Sequence, residues 1–315
     1  MKHKVFIDGK EGTTGLKIYE RFEGRDDIEI LLIDEDKRKD PAERAKFING
    51  ADYVFLCLPD DAARESVSLV KNPDVKIIDA STAHRTDSAW AYGFPELSKG
   101  HREKIASSKR VAVPGCYASG FIAIVYPLVE AGIIAPHQPV SCYAVSGYSG
   151  GGKKMIERYE ASDKPSEFFS PRFYALSQNH KHQKEMQVIS GLSYKPMFNP
   201  IVDDYFSGMI VSVPLIKRAL YKRTSAEHIW EIMKEHYQNE YFVKTMPFMG
   251  EGVFEDGFMA ANSLAGTNHM QIFVFGNDEH ILLCARLDNL GKGASGAAVQ
   301  CMNIMMGIDE KTGLE

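Results

Sequence analysis

The chain has 315 residues, enough for two domains with a core each, and its composition is that of a soluble globular protein. A net charge of −5 gives no electrostatic case for nucleic acid or an anionic membrane, and no apolar run reaches the roughly 18 residues that would span a bilayer. Five widely spaced cysteines, an odd number with no CxxC pair, argue against a disulfide framework or a structural zinc site and fit a reducing cytoplasm.

The N-terminus enters a strand pattern at once, Val5-Phe6-Ile7, with no h-region or cleavage site of a signal peptide. A helix is expected from Thr14 to Phe22, a strand from Ile28 to Ile33, and a helix from Pro41 to Asn49. Then come a strand from Tyr53 to Leu58, a helix from Asp61 to Lys71 capped by Asp60, and strands at Val75–Asp79 and Val111–Val113. Strands alternating with helices predict a parallel, doubly wound α/β sheet. The middle of the chain reads differently. Val140–Ser146, Gly208–Val213, Met270–Phe275 and His280–Leu287 look like strands of a mainly antiparallel sheet, with helices at Lys153–Tyr159 and Ser225–Tyr237. That pattern predicts an α+β second domain. The last segment, Gly293 to Met306, is helical, with Ala294, Ala297, Ala298, Cys301, Ile304 and Met305 at helical spacing.

Asp8-Gly9-Lys10-Glu11-Gly12-Thr13-Thr14-Gly15 joins the first strand to the first helix. Glycines at 9, 12 and 15 permit a tight turn and close approach of backbone to a pyrophosphate at the helix N-terminus. Alone, this GxxGxxG turn serves equally as an ordinary strand–helix connection; its place at the head of a βαβ array favours a dinucleotide. Asp34 lies about 20 residues beyond the loop, where an acid suits the ribose of NAD. Lys37, Arg38 and Lys39 follow and suit the 2′-phosphate of NADP, so the residues leave both cofactors open.

Pro114-Gly115-Cys116-Tyr117 sits between an apolar strand and a long apolar run, which predicts strand, tight turn and helix. A thiol there meets free backbone N–H groups and the positive end of a helix dipole, both of which favour a thiolate. Cys57, Cys142, Cys284 and Cys301 lie in apolar strands or on the inner face of a helix and read as small buried hydrophobes. His180 and His182, two apart, point to one side if the segment is extended; with no third ligand at a convincing spacing, no metal is expected. Ser146-Gly147-Tyr148-Ser149-Gly150-Gly151-Gly152 ends a strand and offers N–H groups that could polarise a carbonyl, or is simply a flexible loop. Ser81-Thr82-Ala83-His84-Arg85 follows a strand end, where Arg85 could pair with a carboxylate or phosphate. A thiol at a turn with a dinucleotide loop upstream points to an enzyme that reduces or oxidises an acyl group through a thioester.

These motifs together resemble N-acetyl-γ-glutamyl-phosphate reductase in its short form, over almost the whole chain. The resemblance runs through the glycine loop, Cys57-Leu58-Pro59-Asp60-Asp61-Ala62-Ala63, Asp79-Ala80-Ser81-Thr82-Ala83-His84-Arg85 and Tyr92-Gly93-Phe94-Pro95-Glu96-Leu97. It continues through Pro114-Gly115-Cys116-Tyr117, Ala144 to Gly152, and Asp288-Asn289-Leu290-Gly291-Lys292-Gly293-Ala294-Ser295-Gly296. Aspartate-semialdehyde dehydrogenase is similar in chemistry, but its usual glutamine is Ser146 here.

The resemblance implies a Rossmann domain over 1–115, completed by a C-terminal helix within 289–315, and a catalytic and dimerisation domain over 116–288. It implies Cys116 as nucleophile and His180 or His182 as acid–base group, with Arg85, Ser146, Gly147, Ser149, Tyr174 and Glu185 at the substrate. For the cofactor it implies Gly9, Gly12, Thr13, Thr14, Gly15, Lys37, Arg38, Ser81, Asn289 and Leu290, and NADP with NAD still open. The expected partners are an acyl phosphate, inorganic phosphate and further copies of the chain in a homodimer or homotetramer. Val113 stands where the family more often has Asn, and Asp34 is unusual for an NADP enzyme. A reductase of another acyl phosphate, such as aspartyl phosphate, and a non-catalytic NADP-binding sensor remain as alternative expectations.

Overall fold

The computed structural model describes residues 2–254 and 256–315, which form two compact units, 1–114 with 294–315 and 115–293. In the first unit, β1 (His3–Asp8), α1 (Thr13–Phe22), β2 (Ile28–Leu31), α2 (Pro41–Gly50), β3 (Tyr53–Leu56), α3 (Asp60–Ser68) and β4 (Lys76–Asp79) alternate as the apolar pattern predicts. β5 (Ala91–Tyr92), α4 (Lys99–Ser107) and β6 (Arg110–Ala112) complete a six-stranded sheet of order β2-β1-β3-β4-β6-β5, parallel at every pairing. β3 is buried at all four residues, as a central parallel strand covered on both faces must be.

Local chemistry sets the helix starts. Asp40 caps α2 by accepting from the Ala42 N–H, with Pro41 in the first turn where its missing N–H costs nothing. Asp60 is not the cap of α3. Pro59 holds that place, and the Asp60 carboxylate instead takes the Thr82 N–H at 2.9 Å and the Thr82 hydroxyl, fixing the turn after β4.

The second unit opens with α5 (Cys116–Glu130), followed by β7 (Ser141–Gly147), α6 (Lys153–Glu160), β8 (Arg172–Phe173), α7 (His182–Ile189) and β9 (Met197–Asp203). β10 (Met209–Ile216), α8 (Ala226–Tyr237), β11 (Val243–Thr245), β12 (Met270–Gly276) and β13 (His280–Leu287) follow. They form a seven-stranded sheet of order β11-β12-β13-β10-β7-β9-β8, antiparallel except at β7/β9 and β11/β12. Helices α5 and α8 pack on one face, and β10 alternates buried and half-buried or exposed residues accordingly. Pro127 inside α5 leaves the Ala123 carbonyl without its helical donor, and the buried Tyr237 hydroxyl supplies the missing bond at 2.8 Å.

The chain then passes through a π-helical turn, Gly291–Ser295, into α9 (Gly296–Met306), which belongs to the first unit. There Gln300 donates to Glu96 at 2.8 Å, and Arg25 donates to Asn303 at 2.9 Å. Among the described residues no helix is long and apolar enough to cross a membrane, and no His/Cys/Asp/Glu group could hold a metal ion.

Candidate active site

Cys116 is the first residue of α5, one after the N-cap Gly115, and is half-buried. The first internal helical bond from this end runs from the Ser119 N–H to the Gly115 carbonyl at 2.8 Å. The N–H groups of Cys116, Tyr117 and Ala118 therefore lie in the orphan positions of the first turn. The thiol is held from the side by Gly293, where a Cβ would come within 2.6 Å of the Cys116 Cβ, so only glycine fits. Burial pushes Cys57 and Cys142 far above the ordinary thiol range, and Cys284 up to about 11. Cys142 and Cys284 are inert core thiols; Cys57, expected as a buried hydrophobe, is instead half-buried and reaches the wall of the cavity beside the glycine loop.

Tyr117, the residue after Cys116, was not singled out in the sequence, yet it organises the site. The Tyr117 hydroxyl accepts from Tyr174 at 2.8 Å, and its ring lies 6.0 Å from the His180 ring and 5.9 Å from that of His182. Burial first, then the neighbouring Tyr174 and Cys116, raises Tyr117 well above the ordinary phenol range. Burial does the same to Tyr174, so both phenols stay protonated donors at working pH.

The His-x-His segment is not extended. His182 begins α7 and is buried, while His180 lies before it, half-buried, with the rings 4.7 Å apart and close to perpendicular. The His182 N–H donates to Nδ1 of His180 at 3.1 Å; a backbone N–H can only donate, so the neutral His180 ring carries its proton on Nε2. Two glutamines fix this corner. Gln183 accepts from the His180 N–H at 2.8 Å and donates to the Pro196 carbonyl at 3.0 Å. Gln178, at φ 55°, pairs both ways with the backbone of Phe198. Neither glutamine stands in a periodic pattern of the sequence.

Glu185, one turn into α7, is 2 % exposed and accepts the Gly115 N–H on Oε1 at 2.9 Å. Ser146, near the end of β7, and Ser149, in the turn that follows it, are both buried; Ser146 donates to the Gly147 carbonyl at 3.1 Å. Asn289 ties that loop in place, donating to Ser149 Oγ at 2.9 Å and accepting from the Gly208 N–H at 2.8 Å. Leu290 is buried beside it in sequence, its N–H turned to the Asp288 carboxylate.

In the first unit, Gly9 follows β1 at φ 88°, and a Cβ there would overlap the Cys57 carbonyl oxygen. Gly15 needs the same freedom from side-chain bulk, a Cβ falling 2.5 Å from the Gly9 carbonyl oxygen. The Gly12 N–H closes the turn on the Gly9 carbonyl at 3.0 Å, and Thr13 and Thr14 form the first turn of α1, offering orphan N–H groups. The loop is braced from below by a buried cluster, in which Arg44 and Ser66 both donate to Asp8 Oδ2, at 3.0 and 2.8 Å.

A cavity of about 490 Å³ opens beside this loop, lined by Asp8–Gly12, Ile30–Ile33, Cys57, Leu58, Glu35, Arg38 and Lys39. Its glycine floor, apolar walls and basic rim fit a dinucleotide. Lys37 is outside that lining and bonds Asp34 at 3.1 Å. The Asp34 hydrogen bond and charge raise the exposed Lys37 ammonium above its ordinary value.

Ser81 gives both its N–H and its hydroxyl to the buried Asp79, at 2.9 and 2.8 Å. Arg85 is buried and spends its Nε on the Val113 carbonyl at 2.8 Å and its Nη2 on the Ala80 carbonyl at 3.1 Å. It thus fixes the backbone at Val113, the residue that follows β6.

Gly9→Ala is expected to weaken cofactor binding at least about tenfold and to cost roughly 1–3 kcal/mol from backbone strain alone. Cofactor titration by fluorescence and a thermal melt check both; a variant that binds normally would show that the cradle does not depend on Gly9.

Comparison with known proteins sets this geometry in context. Residues 9–108 match the family described as "Semialdehyde dehydrogenase, NAD binding domain", and residues 116–289 match "Semialdehyde dehydrogenase, dimerisation domain". The chain is 51% identical over 320 residues to N-acetyl-gamma-glutamyl-phosphate reductase 2 of Nostoc sp., covering 99% of each chain. It is 47% identical to the Pseudomonas putida protein of that name, covering 96% of each. Among solved structures, aspartate semialdehyde dehydrogenase from Francisella tularensis superposes with a TM-score of 0.73 over 97% of this chain and 100% of that one. At 13% identity that likeness speaks for the fold alone.

Proposed function

Because the chain belongs to the N-acetyl-γ-glutamyl-phosphate reductase family of semialdehyde dehydrogenases, we propose that it reduces N-acetyl-γ-glutamyl phosphate to the 5-semialdehyde and inorganic phosphate, a step of arginine biosynthesis, with NADPH as the preferred reductant. The observation that carries this reading is Cys116 at the first position of α5, beside Tyr117 and the Tyr174, His180 and His182 side chains gathered around it.

Cys116 Sγ bonds to the γ-acyl carbon while the carbon–oxygen bond to phosphate breaks, leaving a thioester on the enzyme. The oxyanion formed on the way lies at the end of α5, where the Cys116 and Tyr117 N–H groups and the helix dipole stabilise it. The Gly115 N–H does not take part, since Glu185 holds it. A bound nicotinamide supplies the hydride that brings the thioester to the aldehyde level. The His180 Nε2–H donates to the developing alkoxide, and the His180–His182 pair provides the proton released and recovered as the thiohemiacetal collapses. The two protonated phenols and the Ser146–Ser149 loop hold the acyl chain without adding charge. Arg85 anchors the Val113 carbonyl at the end of β6. The second unit carries the family's dimerisation domain, and we read the working form as a homodimer or homotetramer in a reducing cytoplasm, which keeps Cys116 a thiol.

The test runs the reaction backwards, with N-acetyl-glutamate 5-semialdehyde, phosphate and NADP⁺. Phosphate-dependent reduction of NADP⁺ is expected, with kcat/KM at least about 100-fold above that for aspartate semialdehyde, because a buried site built around an amide rejects a free ammonium. Equal use of the two semialdehydes would replace this substrate with a broader class, and cofactor binding without turnover would make the chain a sensor.

A further inference from the structure

We propose that Glu185 is a positioning residue for the nucleophile, acting through the backbone of Gly115 rather than through the substrate. The inference rests on the proposed role of Cys116 and deepens it. Helix α7 packs against α5, with Met186 fully buried, so the Glu185 carboxylate is delivered into the core at the α5 N-terminus. There it is 2 % exposed, and its Oε1 receives the Gly115 N–H at 2.9 Å. Gly115 is the N-cap of α5, so this bond fixes the residue that immediately precedes Cys116. Without an acceptor the Gly115 N–H would be a buried donor with nowhere to turn, and the turn would have to move to satisfy it.

Two further contacts show a seat of defined width. Gly293 packs directly on Cys116, where even a methyl group would lie 2.6 Å from the Cys116 Cβ. The His180–Gln183 bonds and the Gln183 bond to Pro196 fix the start of α7, so the carboxylate that reaches Gly115 comes from a rigid element. The same α7 turn that presents His182 therefore also sets the thiol, and the distance between acid–base group and nucleophile is built into one helix. A displacement of about 1 Å at a reacting atom costs on the order of 100-fold in rate.

The test compares Glu185→Gln, which keeps the acceptor and loses the charge, with Glu185→Asp, which keeps the charge and withdraws the acceptor by about 1.5 Å, and with Glu185→Ala. For positioning, kcat falls less than about tenfold in E185Q and about 100-fold in E185D and E185A, with the semialdehyde KM within about threefold throughout. The rate of Cys116 carboxamidomethylation by iodoacetamide should shift in E185D and E185A and stay near wild type in E185Q. A series in which E185Q is no better than E185D overturns the proposal, since charge rather than reach would then matter; so does a tenfold rise of KM in E185Q. If E185A does not fold, the Gln–Asp comparison stands by itself. If wild-type protein does not turn over the semialdehyde, the assigned reaction fails, and the alkylation series still decides the role of Glu185.

Discussion

Cys116→Ser is expected to lose at least about 1,000-fold in kcat for phosphate-dependent oxidation of the semialdehyde. An alkoxide is far harder to form than a thiolate, and a helix N-terminus contributes only about 0.3–1 kcal/mol to an adjacent anion at an exposed site. Serine is smaller than cysteine, so the seat between Gly115 and Gly293 accepts it and the fold is undisturbed. Cofactor affinity and the thermal midpoint should therefore remain close to wild type. A variant that keeps a tenth or more of the activity would exclude covalent capture at this position and require direct displacement at the acyl phosphate instead. Wild-type enzyme incubated with the semialdehyde and oxidised cofactor in the absence of phosphate should accumulate the acyl thioester, seen as an added mass on the peptide holding Cys116.

The strands and helices that were legible in the sequence are those whose burial is one-sided or complete over several residues. β1, β3, β10, β12 and β13 carry apolar runs long enough to announce themselves, and α1 and α8 carry a helical stripe. β9 escaped because Asn199 and Pro200 interrupt Met197–Asp203, although its burial alternates cleanly once it is paired with β7. α4 escaped because only Ile105 of Lys99–Ser107 is buried. α7 was hidden by its polar start, and reading His180 and His182 as an extended pair followed from that. Helix α7 is held by long-range bonds from Gln183 and by burial of Met186 against α5, neither of which leaves a mark in local spacing.

The same contrast holds within the site. Strand, turn and helix around Cys116 could be read because proline and glycine punctuate it. Tyr117 could not, since one aromatic residue at the head of an apolar helix looks like core; its function as a hub rests on Tyr174, His180 and His182 arriving from the far side of more than fifty residues of chain. Arg85 and Glu185 are visible as charges in the sequence, and only the structure gives their partners: carbonyls at Val113 and Ala80 for the one, the Gly115 N–H for the other.

The basic triplet after β2 separates into two places, and the proposed NADPH preference makes an expected result of that separation. Arg38 and Lys39 line the cavity beside the glycine loop, whereas Lys37 is bound to Asp34 on the surface. The acid that would have favoured a ribose hydroxyl is paired outside the lining, and the cavity rim presents Arg38 and Lys39, with one carboxylate, Glu35, to a group carrying about −1.5 to −2 charge. Each charge-assisted bond is worth about 1.5–3 kcal/mol when shielded, and less here, because the Arg38 side chain is 42% exposed and shares Glu35 at 3.9 Å. A discounted value near 1.4 kcal/mol is a factor of about ten. Arg38→Ala and Lys39→Ala are thus each expected to lower kcat/KM for NADPH about tenfold, and the double variant by more than either but less than about 100-fold, because neighbours on one phosphate do not add, with the NADH value nearly unchanged. Lys37→Ala should leave both cofactors as they were. Steady-state kinetics with the two reductants at several salt concentrations checks this, and the NADPH preference should shrink as salt rises. If Lys37→Ala instead removes the preference while the Arg38 and Lys39 variants keep it, the 2′-phosphate sits on the exposed Asp34–Lys37 pair, and the cavity rim has no part in choosing the cofactor.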